Sequence, residues 1–141
     1  MKTSLSFIIN GKPIAKQRHR VHNGIMYDPQ SKEKNECKKL ISEIMAKDDL
    51  RPLEGAIGAN IIAKFPIPQS WSKKKRKEAL EKGYVITKPD CDNLEKFYLD
   101  CMNKIAYDDD AQIAEIFTQK IYDEEPKTEI ELYSLEEIEE T

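Results

Sequence analysis

Residues 88–112 read KPDCDNLEKFYLDCMNKIAYDDDAQ, and the fold follows from how this stretch is read. Leu94, Phe97, Tyr98, Cys101 and Ile105 recur at i, i+3, i+4, i+7 and i+11, the stripe of a helix with one face on a core. Asp90 and Asp92 stand at its start, and Asp108, Asp109 and Asp110 follow just beyond its end. Two carboxylates about 4 Å apart repel by roughly 4 kcal/mol at an effective dielectric of 20. A helix N-terminus offsets only about 0.3–1 kcal/mol of that. Carboxylates that converge therefore need a cation, and a divalent-metal site is the first reading. A helix of about 14 residues would hold the two acidic groups roughly 21 Å apart. They meet only if the next strand runs back along the helix, or if the loop folds beneath it.

Each part has a plainer reading. Asp92 with Glu95 three residues on resembles a capping box. The triple aspartate suits a polar loop. Lys96, four residues after Asp92, forms an i,i+4 ion pair or, beside a metal site, stabilises charge on a phosphate. Asn93 either orients a carboxylate or caps the helix. An EF-hand is excluded, because Leu94 and Glu95 stand where that loop needs a ligand and then a glycine.

Outward from this stretch, the chain divides by charge. Residues 1–88 hold 19 Lys/Arg and 9 Asp/Glu, whereas residues 89–141 hold 4 and 17, within a net charge of −3 over 141 residues. Such asymmetry points to a nucleic-acid partner, an acidic tail, or neutralisation between halves across an interface. Lys16, Arg18 and Arg20 form one basic patch and Lys73, Lys74, Lys75, Arg76 and Lys77 another. Each reads alone as a solvated face, and as a phosphate contact beside an acidic nuclease-like site. Trp71 reads as a core anchor for the second patch. Cys37, Cys91 and Cys101 lack paired spacing, no secretory leader or membrane span is evident, and a cytoplasmic protein with reduced thiols is expected. His19 and His22 show no zinc-ligand spacing with cysteine.

Ser4–Ile9 is expected as a strand, and Gly11–Arg20 follows as a basic segment. Arg20–Tyr27 reads as a hairpin around Asn23-Gly24. Residues Ser31 to about Lys47 read as a helix with Ser31 as N-cap and Cys37, Leu40, Ile41, Ile44 and Met45 inward. Gly55–Phe65 reads as a central strand ended by Pro66 and Pro68. Ser70–Gly83 reads as a loop and short basic helix stopped by Gly83. Ile113–Tyr122 and Thr128–Leu135 read as strands joined as a hairpin, and residues 135–141 as an acidic tail. The expectation is a single α+β domain over 1–141, a mixed, mostly antiparallel sheet with helices packed against it.

These residues resemble the RusA family of Holliday-junction resolvases, endodeoxyribonucleases common in phages and prophages. The resemblance is closest over K-P-D-C-D-N-L-E-K, Lys88–Lys96, and resumes at Asp100 (D-C-M) and at Asp109-Asp110-Ala111-Gln112-Ile113. PIPQSWSKKKRKEAL, K-Q-R-H-R and G-I-M-Y-D-P are similar to phage-type members. The resemblance implies a RusA-like fold and a homodimeric, Mg²⁺-dependent enzyme, with Mn²⁺ as substitute, that resolves four-way DNA junctions by paired symmetric incisions. The essential aspartates fall on Asp90, Asp92 and Asp110 and the functional lysine on Lys96. Asp109 would assist as a metal ligand, Asp108 is an addition, and Lys88 keeps the basic residue before D-x-D for DNA. Carboxylates suit Mg²⁺, which prefers hard oxygen ligands. The alternatives are a less selective branched-DNA or flap nuclease, an inactive DNA-binding regulator of the same fold, and a metal-stabilised structural domain.

Overall fold

The computed structural model describes residues 3–136. Strands β1 (Ser4–Asn10), β4 (Ile57–Pro66), β5 (Ile113–Asp123) and β6 (Lys127–Ser134) form one sheet in the order β1-β6-β4-β5. β6 runs antiparallel to both β1 and β4, and β5 runs parallel to β4. A separate two-stranded ribbon comprises β2 (Arg20–His22) and β3 (Ile25–Tyr27). The α+β expectation, with a mostly antiparallel sheet and helices against it, agrees with this architecture.

One face of the sheet carries the core. Leu5 and Phe7 of β1, Ile57, Ala59, Ile61, Ala63 and Phe65 of β4, and Ile130 and Leu132 of β6 are buried at alternate positions, as a pleated strand with one covered face requires. Helices α1 (Ser31–Lys47) and α3 (Cys91–Met102) supply Cys37, Ile41, Met45, Leu94, Phe97, Tyr98, Cys101 and Met102 to the same cluster. Both stripes read from the sequence point inward, although Leu40 and Ile44 are only half-buried, and α3 ends at Met102, leaving Ile105 half-buried in the turn beyond it. The Tyr98 hydroxyl joins three segments: it accepts from the Ile14 backbone N–H at 2.9 Å and lies 2.9 Å from the buried Thr128 Oγ1. Burial pushes its pKa up, with Thr128 and Ile14 opposing.

Four expectations need correction. β5 and β6 do not form a hairpin: β4 lies between them, because the two faces of β6 as a hydrogen-bonding strand are taken by β1 and β4. Pro66 is the last residue of β4 rather than its stop. The residue before α1 is Gln30, not Ser31; its side chain is used across the loop, accepting from Gln17 N and donating to Ala15 O. Helix α2 (Lys73–Lys82) begins after Ser72, whose hydroxyl accepts from Lys75 N, and ends at Gly83 as expected. Gly83 is not left-handed, however; a Cβ there would sit 2.5 Å from the Ala79 carbonyl oxygen, so space and not φ selects glycine.

No helix among the described residues is long and apolar enough to cross a membrane. The acidic tail beyond Glu136 lies outside the described residues.

Candidate active site

Helix α3 begins at Cys91, so Asp90 and not Asp92 precedes it. Asp90 is extended and its side chain makes no capping hydrogen bond, leaving an exposed carboxylate free at the helix start. Asp92 lies in the first turn with its side chain 65% exposed, and Lys96 Nζ stands 3.9 Å away. The box read between Asp92 and Glu95 is absent, since Asp92 lies inside the helix and not at its cap; Thr118 of β5 instead donates to the Glu95 carboxylate at 2.7 Å.

The segment leading into α3 is held from below by Lys120 of β5. Its ammonium donates to the Thr87 carbonyl at 2.8 Å and the Pro89 carbonyl at 2.7 Å. This residue places Asp90, and no sequence signal marks it, since a lysine in a half-buried strand reads as a surface charge. From the other side, Lys16 N donates to the Asn93 carbonyl at 2.9 Å, and Lys16 Nζ to Asp100 at 2.8 Å. Loop Lys12–Gln17 and segment Lys88–Asn93 thus enclose an open cleft of about 470 Å³. Asp90, Asn93, Lys88, Lys12 and Lys16 line it. The positive end of α3 and the Lys12 and Lys88 ammonium groups share this cleft with one carboxylate, while the Lys16 ammonium is paired with Asp100, and the balance suits a polyanion.

The second acidic group is held differently. Tyr107 is buried, and its hydroxyl lies 2.7 Å from both the Leu99 carbonyl and Asp110 Oδ1. One proton serves two acceptors; burial first, then Asp110, pushes the Tyr107 pKa far up. Leu99 lies about 12 Å along α3 from Cys91 at 1.5 Å per residue, so Asp110 is tethered to the second half of the helix. Asp109 precedes a single 3-10 turn, Asp110–Gln112. Gln112 Oε1 accepts from Asp108 N and Asp109 N at 2.9 Å each, and its Nε2 donates to the Leu53 and Gly55 carbonyls. Asp108 is exposed, with Lys104 Nζ at 3.8 Å.

Among the described residues, no three His, Cys, Asp or Glu side chains stand close enough together to hold a metal ion. The chain therefore does not gather Asp90, Asp92, Asp109 and Asp110 into one cluster. The donors nevertheless suit Mg²⁺: Asp90 and Asp92 offer hard, solvent-facing oxygens, and Mg²⁺ is commonly held by one or two carboxylates with substrate phosphates and water.

Of the cations expected to face DNA, Arg18 and Arg20 are exposed where the chain enters the ribbon, and Lys88 is exposed on the cleft wall. Lys73, Lys74 and Lys77 are exposed on α2. Lys75 instead covers the Trp71 ring at 4.0 Å, and Arg76 donates to the Pro68 carbonyl. Trp71 meets Tyr122 edge-on with centroids 5.3 Å apart, which anchors this segment.

Comparison with known proteins gives these positions a family. The model of the endodeoxyribonuclease RusA family matches residues 10–133. That span includes the cleft loop, the ribbon, all of α3 and the Tyr107–Gln112 turn. The uncharacterized protein YqaN of Bacillus subtilis (strain 168) is 31% identical over 134 residues, covering 89% of this chain and 93% of that protein. The match runs from the end of β1 almost through β6, so the chain belongs to the RusA family of endodeoxyribonucleases.

Proposed function

We propose that this chain is a Mg²⁺-dependent endodeoxyribonuclease that resolves four-way DNA junctions by paired incisions, acting as a homodimer on recombination and repair intermediates in the cytoplasm. The observation that carries the reading is Asp90: a carboxylate free of capping, at a helix start, and the one acidic residue in a cleft whose lining includes Lys12, Lys16 and Lys88. Asp90 and Asp92 would hold the ion, with Asp110 completing the family set and Asp109 assisting. Bound there, Mg²⁺, or Mn²⁺ in its place, supplies Lewis-acid activation of the attacking water and the phosphate.

The chain's own groups do the remaining work. Lys12, Lys16 and Lys88 draw the phosphate backbone into the cleft, and backbone N–H groups at the start of α3 favour an anion there. Lys96, exposed beside Asp92, opposes the charge that grows on the phosphate oxygens. Lys120 and the Lys16–Asn93 bond keep Asp90 and the first turn of α3 in place. Arg18, Arg20, Lys73, Lys74 and Lys77 extend the cationic surface for the junction arms, with Lys75 and Arg76 at its anchored edge. A four-way junction has approximate two-fold symmetry, and a C₂ dimer presents two equivalent sites to opposing strands.

A second reading, a DNA-binding protein without catalysis, draws on the lack of a three-carboxylate cluster among the described residues. Cleavage of a labelled synthetic four-way junction decides between them, with Mg²⁺ or EDTA, a linear duplex control, and Asp92→Asn beside the wild type. Paired Mg²⁺-dependent nicks, lost in the variant, are expected. Tight junction binding without cutting under Mg²⁺ or Mn²⁺ would establish the second reading instead.

A further inference from the structure

The ribbon β2–β3 has no place in the chemistry described above. Every residue of both strands is exposed, so neither face is covered by the other described residues. Four of the six are large and apolar: Val21 is 64% exposed, Ile25 70%, Met26 68% and Tyr27 44%. A three-residue strand extends about 10 Å, and the tip turns on Asn23 and Gly24, both with positive φ (51° and 77°). A Cβ at Gly24 would meet nothing within 4 Å, so the tip faces open space there.

The base of this projection is built rigidly. Gln30 is buried and ties the two ends of the segment together through Gln17 N and Ala15 O. Asp28 accepts from Gln30 N at 2.9 Å and from Lys34 at 2.9 Å, and His19 stands 4.0 Å away. Lys34 in turn approaches Asp100, the partner of Lys16. The same loop forms one wall of the Asp90 cleft. A fixed base beside the cleft with an uncovered apolar tip is the geometry of a wedge rather than of a loose loop.

Charge selects the occupant. Between Lys16 and Tyr27 the ionisable side chains are Lys16, Arg18, His19, Arg20, His22 and Tyr27, with no carboxylate until Asp28. Apolar side chains flanked by Arg18 and Arg20, with no carboxylate on the ribbon itself, suit the stacked bases of a polyanion; nucleic-acid proteins insert Ile, Met or Leu between base steps in this way. Unstacking is least costly where stacking is already interrupted, which is the branch point and not the interior of an arm.

Resting on the junction-resolving reading, we propose that the β2–β3 ribbon is a wedge. Ile25 and Met26 enter the branch point and unstack its base pairs, while Arg18 and Arg20 hold the flanking phosphates, so that the ribbon sets the preference for branched over linear DNA. The occupant is DNA; a second copy of the chain is the competing one.

The test uses the full chain and a four-way junction carrying 2-aminopurine beside the branch point. Binding is followed in Ca²⁺, and cutting of junction and linear duplex in Mg²⁺. Wild type is compared with Ile25→Ser/Met26→Ser, whose changes lie on a solvent-exposed ribbon, and with Ile8→Ser on the sheet as a control for loss of any exposed apolar group. Wild type and Ile8→Ser should raise the fluorescence several-fold. The double variant should lose that rise, and its ratio of junction to duplex cutting should fall about tenfold or more. A double variant that matches wild type in fluorescence and ratio overturns the wedge while the nuclease reading stands. A double variant that converts a dimer to a monomer in light scattering, with the fluorescence rise kept, overturns it in favour of a protein contact. A wild type that neither binds nor cuts the junction overturns the nuclease reading and the wedge with it.

Discussion

The two acidic groups that flank α3 look alike as sequence and differ in what holds them. Asp90 and Asp92 face solvent at the start of the helix, one uncapped and the other beside an exposed lysine at 3.9 Å. Asp110 is half-buried and bound to a buried tyrosine, and the turn around it is clamped by Gln112 to the chain at Leu53 and Gly55. The first group is available to a ligand and contributes little to the fold. The second is part of the fold, and any ligand role competes with the Tyr107 hydroxyl. Charge density in a sequence therefore does not say whether a carboxylate is held in reserve or already in use.

The largest effect should fall on the first group. Asp90→Asn and Asp92→Asn should each lower junction cleavage by about 10²-fold or more, as removal of a group stabilising the transition state does. Both should leave stability within about 0.5 kcal/mol, the usual range for exposed sites. Parallel cleavage assays and urea melts measure the two quantities. A melt displaced by more than that would break the comparison, since it would make the first group structural too.

Tyr107→Phe examines the second group. It leaves the Leu99 carbonyl and Asp110 without their shared donor, at a cost of about 1–3 kcal/mol for a buried acceptor. The sign with pH follows from the direction of the shift. The folded state raises the Tyr107 pKa above its ordinary value, through burial and then Asp110. The stability linked to it is fully present below about pH 10, the ordinary tyrosine value, and is lost as pH rises beyond it. Wild type should therefore lose stability above about pH 10 more steeply than Tyr107→Phe, as read by urea midpoints from pH 8 to 11. Equal slopes would show that the hydroxyl does not govern this region.

Much of this was legible in the sequence and some was not, for reasons that can be named. Periodicity placed α1 and α3 because their inward faces are decided by burial, and Asn23-Gly24 placed the ribbon because few residue pairs accept two positive φ values. The order of β5 and β6 was not legible: a short acidic connection reads as a hairpin, while the actual pairing depends on β1 and β4, more than fifty residues away. The capping box that Asp92 and Glu95 offer as a plainer reading does not form: the helix starts at Cys91, after Asp90, and Glu95 bonds Thr118 on a distant strand. The cleft walls depend on Gln30 and Lys120, whose partners lie 13 to 33 residues away and leave no local spacing to read; Tyr107 tethers Asp110 from only three residues before it, but a shared hydroxyl proton has no sequence pattern of its own.

A smaller effect belongs to Gln112, the last residue of D-D-A-Q. Its amide carries four hydrogen bonds, two accepted from the aspartate backbone and two donated to Leu53 and Gly55. The site is partly exposed, and water replaces some of them in a variant. Gln112→Ala should cost about 1 kcal/mol, within the net range for such bonds, and lower cleavage only in proportion to the shift it causes in the turn. Gln112→Glu should keep the two accepted bonds and lose the donated pair, giving an intermediate midpoint.

The smallest effect concerns a carboxylate on the cationic side, and it sharpens the comparison from outside the two groups. Asp28 and Lys34 are 2.9 Å apart with side chains only 21% and 19% exposed, unlike Asp92 and Lys96 at 65% and 61%. The Lys34 hydrogen bond first, and the Gln30 N–H next, hold the Asp28 pKa below its ordinary value of 3.8. A lowered carboxylate pKa means that the linked stability is present above that ordinary value and disappears as pH falls through the folded one. Wild type should thus lose melting temperature between pH 4 and 2 more steeply than Asp28→Asn, by a margin that shrinks in high salt. Asp92→Asn should leave the melting temperature at neutral pH nearly unchanged, because an exposed pair at 3.9 Å contributes little to stability. If Asp28→Asn and Asp92→Asn instead lowered it alike at neutral pH, exposure and distance would not be what separates a carboxylate used by the fold from one left free for a ligand, and the contrast between the ends of α3 would need another cause.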